Sequence, residues 1–129
     1  MTTQKFWEET GEWGLSKKAN RGAWGELIAS AWLMENGYQV FRNLCPVGPM
    51  DIVAFKDGAF WGIDVKIVQI TMARDRIVVS NGNRLSDKQV NMGVKQLWVT
   101  PDGICGFSRQ QIEKAYMREA SKIVFDKSA

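Results

Sequence analysis

Apolar residues along the chain switch between two periods, and the switch marks out the elements. Trp24, Leu27, Ile28, Ala31 and Met34 recur at helical spacing. They predict a helix from Ser16 or Asn20 to Glu35–Asn36, with Gly37 well suited to close it. Strand-like runs follow over 38–43, 50–56 and 59–68, and Asp57-Gly58 is a two-residue hairpin signal. Residues 76–80 read as a fourth strand or an extension. Ser86 with Gln89 three residues on makes a capping-box pattern for a short helix over 87–94. Residues 96–100 form a further strand. A small hairpin turns at Pro101-Asp102-Gly103 and closes at Gly106-Phe107, and Ser108 caps a last helix from Arg109 to about Lys122. Helix, three strands, helix, strand, helix is an α/β or α+β order. Residues 1–16, with Trp and Glu and breaks at Gly11 and Gly14, read as an irregular or short helical arm. The 129 residues are expected to form one domain whose core spans 17–122.

One strand breaks the apolar pattern. In Gly62-Ile63-Asp64-Val65-Lys66-Ile67-Val68 the alternation puts Ile63, Val65 and Ile67 on one face and Asp64 and Lys66 on the other. Asp51 lies thirteen residues before Asp64. A hairpin closing at Asp57-Gly58 pairs residues whose numbers sum to about 115, which sets Asp51 opposite Asp64 with Cβ atoms about 5 Å apart. Two facing carboxylates repel unless a cation lies between them. Their oxygens, with the Val65 carbonyl, suit Mg²⁺, with Mn²⁺ as a substitute. Lys66, on the face of Asp64, can stabilise phosphate charge or help activate an attacking water. The plainer reading makes Asp64 and Lys66 an exposed ion pair on an edge strand.

Other residues extend this chemistry. Glu26 has Ala29, Ser30 and Leu33 at i+3, i+4 and i+7, a small and apolar stripe, and is a candidate third carboxylate. An ordinary solvated helix glutamate is the alternative. Gln89 can hold a water, a phosphate or Lys66 in addition to its capping role. Arg74, Arg76, Arg84 and Lys88 are expected beside the site, with Arg42 flanking it. Lys17, Lys18 and Arg21 precede or open the first helix. All eight are candidate phosphate contacts. Of the six tryptophans, Trp7, Trp13 and Trp98, together with Phe6, are candidates for an association surface.

Composition removes alternatives. With no histidine, Ser-His-Asp and Cys-His nucleophiles and His-ligated zinc are excluded. Cys45 and Cys105 sit in no C-x-x-C unit, so zinc ribbons and redox motifs are not expected and the thiols read as reduced, which fits an intracellular, cytoplasmic protein. No apolar run is long enough to span a bilayer, and Met1 to Phe6 lead into no secretion-type apolar region. A net charge of +3 permits a nucleic-acid partner without establishing one.

Glu26 on a helix, Asp51 after Gly48-Pro49-Met50, and Asp64-Val65-Lys66 together resemble the PD-(D/E)XK nuclease superfamily. The match covers about residues 20–100. Met50 stands where the motif usually has proline, with Pro49 one earlier, and the second acid is Asp rather than the commoner Glu. The spacing of Glu26, Asp51 and Asp64, and the run Gly37-Tyr38-Gln39-Val40-Phe41-Arg42, are similar to archaeal-type Holliday junction resolvases. Leu85-Ser86-Asp87-Lys88-Gln89 is similar to a helix of the virus-type replication–repair nucleases. The resemblance implies a restriction-endonuclease-like core, a mixed central sheet flanked by helices. It also implies a Mg²⁺-dependent DNA endonuclease in which Asp51, Asp64, Glu26 and the Val65 carbonyl serve the metal and Lys66 and Gln89 join the catalytic set. A homodimer acting on branched DNA is the form the resolvases suggest. A restriction- or homing-type duplex endonuclease, or an inactive nucleic-acid-binding module of the same fold, are the alternatives.

Overall fold

The computed structural model describes residues 18–44, 48–74 and 76–128, with side chains described as far as Arg118. Helix α1 (Lys18–Glu35) leads into strands β1 (Gln39–Arg42), β2 (Ile52–Lys56) and β3 (Ala59–Ile67). A ribbon of β4 (Gln69–Ala73) and β5 (Arg76–Ser80) follows, then the short helix α2 (Asp87–Asn91), β6 (Lys95–Val99), β7 (Cys105–Gly106) and helix α3 (Arg109–Ser128). The main sheet has the order β1-β2-β3-β6-β7, with β3 and β6 parallel and the other neighbours antiparallel. The fold is thus mixed α+β, with a mixed five-stranded sheet and helices.

Local chemistry sets these boundaries. At the end of α1 the Tyr38 amide donates to the Leu33 carbonyl and the Gly37 amide to that of Met34. Gly37 at φ +87° supplies the left-handed residue this closure needs. Asp57 and Gly58 both have positive φ, as a primed hairpin turn requires. Ser86 and Gln89 form the full capping box of α2.

The core lies between α1 and one face of the sheet. Ala29 and Leu33 pack on Ile52, Ala54, Ile63, Leu97 and Val99. The buried stripe of α1 therefore runs through Gly25, Ala29 and Leu33, with Trp24, Ile28 and Trp32 half-buried beside it. Leu27 and Met34, two of the apolar residues whose spacing marks the helix, are mostly exposed. A helix this rich in apolar residues has two apolar stripes, and periodicity does not say which one faces the sheet. Gly25 explains the choice: a Cβ there would stand 3.1 Å from Ile67 Cγ1, so the glycine lets the helix approach β3. A second cluster of Val68, Val79 and Ile112 seats the base of the ribbon on α3, with Trp98 packed against it. Trp98 is thus half-buried against this cluster.

Two further expectations need adjusting, and one is not reached. The segment 69–73 is a strand of its own, pairing with β5. The last helix runs to Ser128 rather than Lys122. The arm at 1–16, with Phe6, Trp7 and Trp13, lies outside the described residues, as do Lys17 and Cys45. Cys105 is buried and unpaired, and burial pushes its thiol up to about 12.

Candidate metal and phosphodiester site

The β2–β3 ladder keeps the expected register from Lys56↔Ala59 to Ile52↔Ile63 and then breaks. The Asp51 amide donates to the Ile63 carbonyl at 2.9 Å, so Asp51 and Ile52 both oppose Ile63. This is the geometry of a bulge, which re-aims a side chain at a strand end. Asp51 therefore does not face Asp64 across the ladder as the hairpin arithmetic predicts. Its Oδ2 instead accepts the Val65 amide at 2.8 Å, and its carbonyl accepts the Asn43 amide at 3.1 Å. The N–H and C=O of one strand residue point to the same edge. The Val65 carbonyl accordingly lies on the edge of β3 that Asp51 occupies.

Asp64 is 6% exposed, which removes the reading of an exposed ion pair. Its Oδ2 has no hydrogen-bond partner, and Lys66 Nζ stands 3.9 Å away. Burial raises the Asp64 pKa most; Lys66 opposes that, Asp51 adds to it, and hydrogen bonds from Gln96 and Gln89 favour the anion. Glu26 lies close enough to feel the same charges. Its pKa is raised first by burial and then by Asp51 and more weakly by Asp64, while Arg42 pulls it down. The stripe Ala29, Ser30 and Leu33 beside Glu26 is buried, as its composition predicts, and Glu26 itself is half-buried. Compared with protein-family models, curated proteins and solved structures, the chain matches none.

Gln89 both caps and reaches. Its Oε1 accepts the Ser86 amide at 2.9 Å, and its Nε2 donates to the Pro49 carbonyl at 2.9 Å, two residues before Asp51. The sequence gives no sign of Gln96, yet it is part of the site. It pairs with Asp64 across the parallel β3–β6 register, and its Oε1 accepts from Asn81 Nδ2 at 2.8 Å and Trp98 Nε1 at 3.1 Å. The only cue lay in that parallel pairing, which no local pattern encodes.

The basic candidates divide. Arg42 ends β1 beside Ile52 and acts on Glu26. Lys88 is carried on α2 next to Gln89, and Arg84 is exposed just before it. Lys18 and Arg21 open α1, Arg21 being half-buried and already engaged. Arg74 and Arg76 stand at the tip of the β4–β5 ribbon rather than on the sheet that carries the acids, because the chain leaves that sheet after Ile67.

The donors gathered here are carboxylate oxygens and a backbone carbonyl, which suits a hard cation. Among the described residues no group of three or more Cys, Asp or Glu is arranged to hold a metal as it stands. The buried, unpartnered Asp64 Oδ2 is nonetheless the kind of atom a cation satisfies. Among the described residues no helix is long and apolar enough to cross a membrane.

Proposed function

We propose that the protein is a Mg²⁺-dependent DNA endonuclease with a restriction-endonuclease-like core. The observation that carries this reading is Asp64. A carboxylate oxygen is buried without a hydrogen-bond partner on a strand that also carries Lys66, next to the carboxylates of Asp51 and Glu26. A fold bears that electrostatic cost where the charge has work to do.

Asp51, Asp64 and the Val65 carbonyl would hold the metal, directly or through water, with Glu26 supporting from α1. When bound, Mg²⁺ would neutralise phosphate charge and favour the ionised form of an attacking water. The chain's own residues supply the rest. The Val65 amide fixes the rotamer of Asp51. Hydrogen bonds from Gln96 and Gln89 oppose the rise that burial imposes on the Asp64 pKa. Glu26 orients the attacking water by accepting a hydrogen bond. Lys66 places an ammonium where the pentacoordinate phosphorus gathers negative charge. Arg42, Arg84 and Lys88 flank the site for phosphate contacts, and Lys18, Arg21, Arg74 and Arg76 extend the basic surface, with Lys17 a further candidate outside the described residues.

The preferred substrate is branched DNA and the working form a homodimer, since two symmetric cuts need two sites and a C₂ pair provides them. The exposed α1 stripe of Ala23, Leu27, Ala31 and Met34 offers a second copy an apolar face. The test is a panel of duplex, flap, fork, single-stranded and four-way-junction DNAs incubated with Mg²⁺, alongside light scattering. Cleavage favouring junctions by a dimer is expected. Cleavage confined to duplex by a monomer would select the restriction- or homing-type alternative, and binding without cleavage would select the inactive module.

A further inference from the structure

A hollow of about 270 Å³ is lined by residues of β3 and β6 and by Tyr38, just past the end of α1, and meets the carboxylate site through Gln96. Among the described residues, Tyr38, Trp61 and Phe107 line it with Lys95 and Gln96. Phe107 is held edge-on against Trp32, with centroids 5.6 Å apart, so its ring is fixed. Trp61 remains 39% exposed, with Lys95 Nζ 6.0 Å from its ring centroid. A second ammonium, Lys56 Nζ, sits 4.9 Å from the Tyr38 ring centroid and is anchored by donating to the Asn36 carbonyl at 2.7 Å. Three aromatic walls suit a planar ring, and lysines at the rim suit an anion attached to it. The size lies just below the range for ordinary small-molecule sites, about 300 Å³ and upward.

We propose that this hollow binds one unpaired nucleobase of the DNA, stacked on Trp61, with its phosphate at Lys95. The choice of DNA rests on the nuclease reading. The hollow itself does not, since Trp61 precedes Asp64 by three strand residues, about 10 Å of strand, and its side chain lies on the opposite face of β3. A base pulled from a paired stack costs energy, whereas a base already unpaired at a branch or gap costs little. Such a pocket would favour the substrates in which pairing is interrupted.

The probe is a duplex carrying a single unpaired 5-iodouracil, bound in Ca²⁺ to the full chain and irradiated. The crosslink is expected on Trp61, Tyr38 or Phe107. Trp61→Ala should lower the preference for this DNA over a complete duplex by about 5- to 150-fold, the range of one base–aromatic stack. The exposed Lys95→Gln should lower it several-fold with melting unchanged, and so reports even if Trp61→Ala folds poorly. Crosslinks mapping elsewhere, an unchanged preference in both variants, or no crosslink because Trp7 or Trp13 of the chain fills the hollow would each overturn the proposal. Crosslinking at Trp61 without any Mg²⁺-dependent nicking would keep the pocket and reject the nuclease. Nicking with no preference for the unpaired base would do the reverse.

Discussion

The Val65 amide donates to the Asp51 carboxylate at 2.8 Å, where the next rung of the β2–β3 ladder would otherwise stand. A side chain replaces a main-chain acceptor, so the first acid is locked to the residue between Asp64 and Lys66. The price is an anion held beside two others, Asp64 and Glu26, both partly desolvated.

That arrangement predicts that Asp64→Asn leaves the metal-free fold intact or steadier. Asn keeps the shape and removes a buried charge whose Oδ2 has no hydrogen bond. The melting temperature should hold or rise, by about 4 °C for each kcal/mol relieved, while DNA cleavage is lost. A sharp fall in melting temperature would show Asp64 to be a structural anion.

The same charges give a pH dependence with a definite sign. Folding raises the pKa values of Asp64 and Glu26 above the ordinary 3.8 and 4.5. Between the unfolded and folded values the unfolded chain has released protons that the native chain still holds, so stability falls as pH rises. Their contribution is fully present below the unfolded values and is lost as pH climbs through the folded ones. Metal-free melts across pH 3 to 7 should show this loss, and it should flatten in an Asp64→Asn, Glu26→Gln double variant. An unchanged slope would place the shifts elsewhere.

Lys66→Ala should lower single-turnover cleavage by about 10²- to 10⁴-fold, the span of a positioned proton-transfer or charge-stabilising group. DNA affinity in Ca²⁺ should change little, because Lys66 is one cation among many. Equal losses in affinity and rate would make Lys66 a binding residue only.

Ser86 and Gln89 separate capping from reach. Ser86→Ala and Gln89→Ala each remove half of the capping box and should cost about 1 kcal/mol. Only Gln89→Ala also removes the tie to the Pro49 carbonyl and the contact to Asp64. Urea melts should therefore show Gln89→Ala lower by about a further 1 kcal/mol, with cleavage falling further than that difference accounts for. Equal activities would confine Gln89 to its cap.

These residues also show what could be read in advance. The helix end at Gly37, the Asp57-Gly58 turn and the Ser86–Gln89 cap rest on neighbours within a few positions, and the structure has them as the local rules predict. The register of β2 and β3 followed from that turn. The bulge at Asp51 did not, because it depends on Met50 folding over Gly62: a Cβ at Gly62 would meet Met50 Sδ at 2.5 Å. The buried stripe of α1 depends on Gly25 fitting against Ile67, and Gln96 depends on the parallel β3–β6 pairing. Each is a contact between segments distant in sequence, where neither periodicity nor motif carries a signal.

The central claim is metal-dependent phosphodiester cleavage by the Asp51, Asp64 and Lys66 group, and one assay reaches it directly. A labelled four-way junction is incubated with the wild-type chain and with Asp64→Asn, in Mg²⁺, in Ca²⁺ and in EDTA. Strand cleavage by the wild type in Mg²⁺ alone, binding without cleavage in Ca²⁺, and no cleavage by the variant are expected. Cleavage by Asp64→Asn at the wild-type rate, or a wild type that cuts no DNA of any form in Mg²⁺, would contradict the claim.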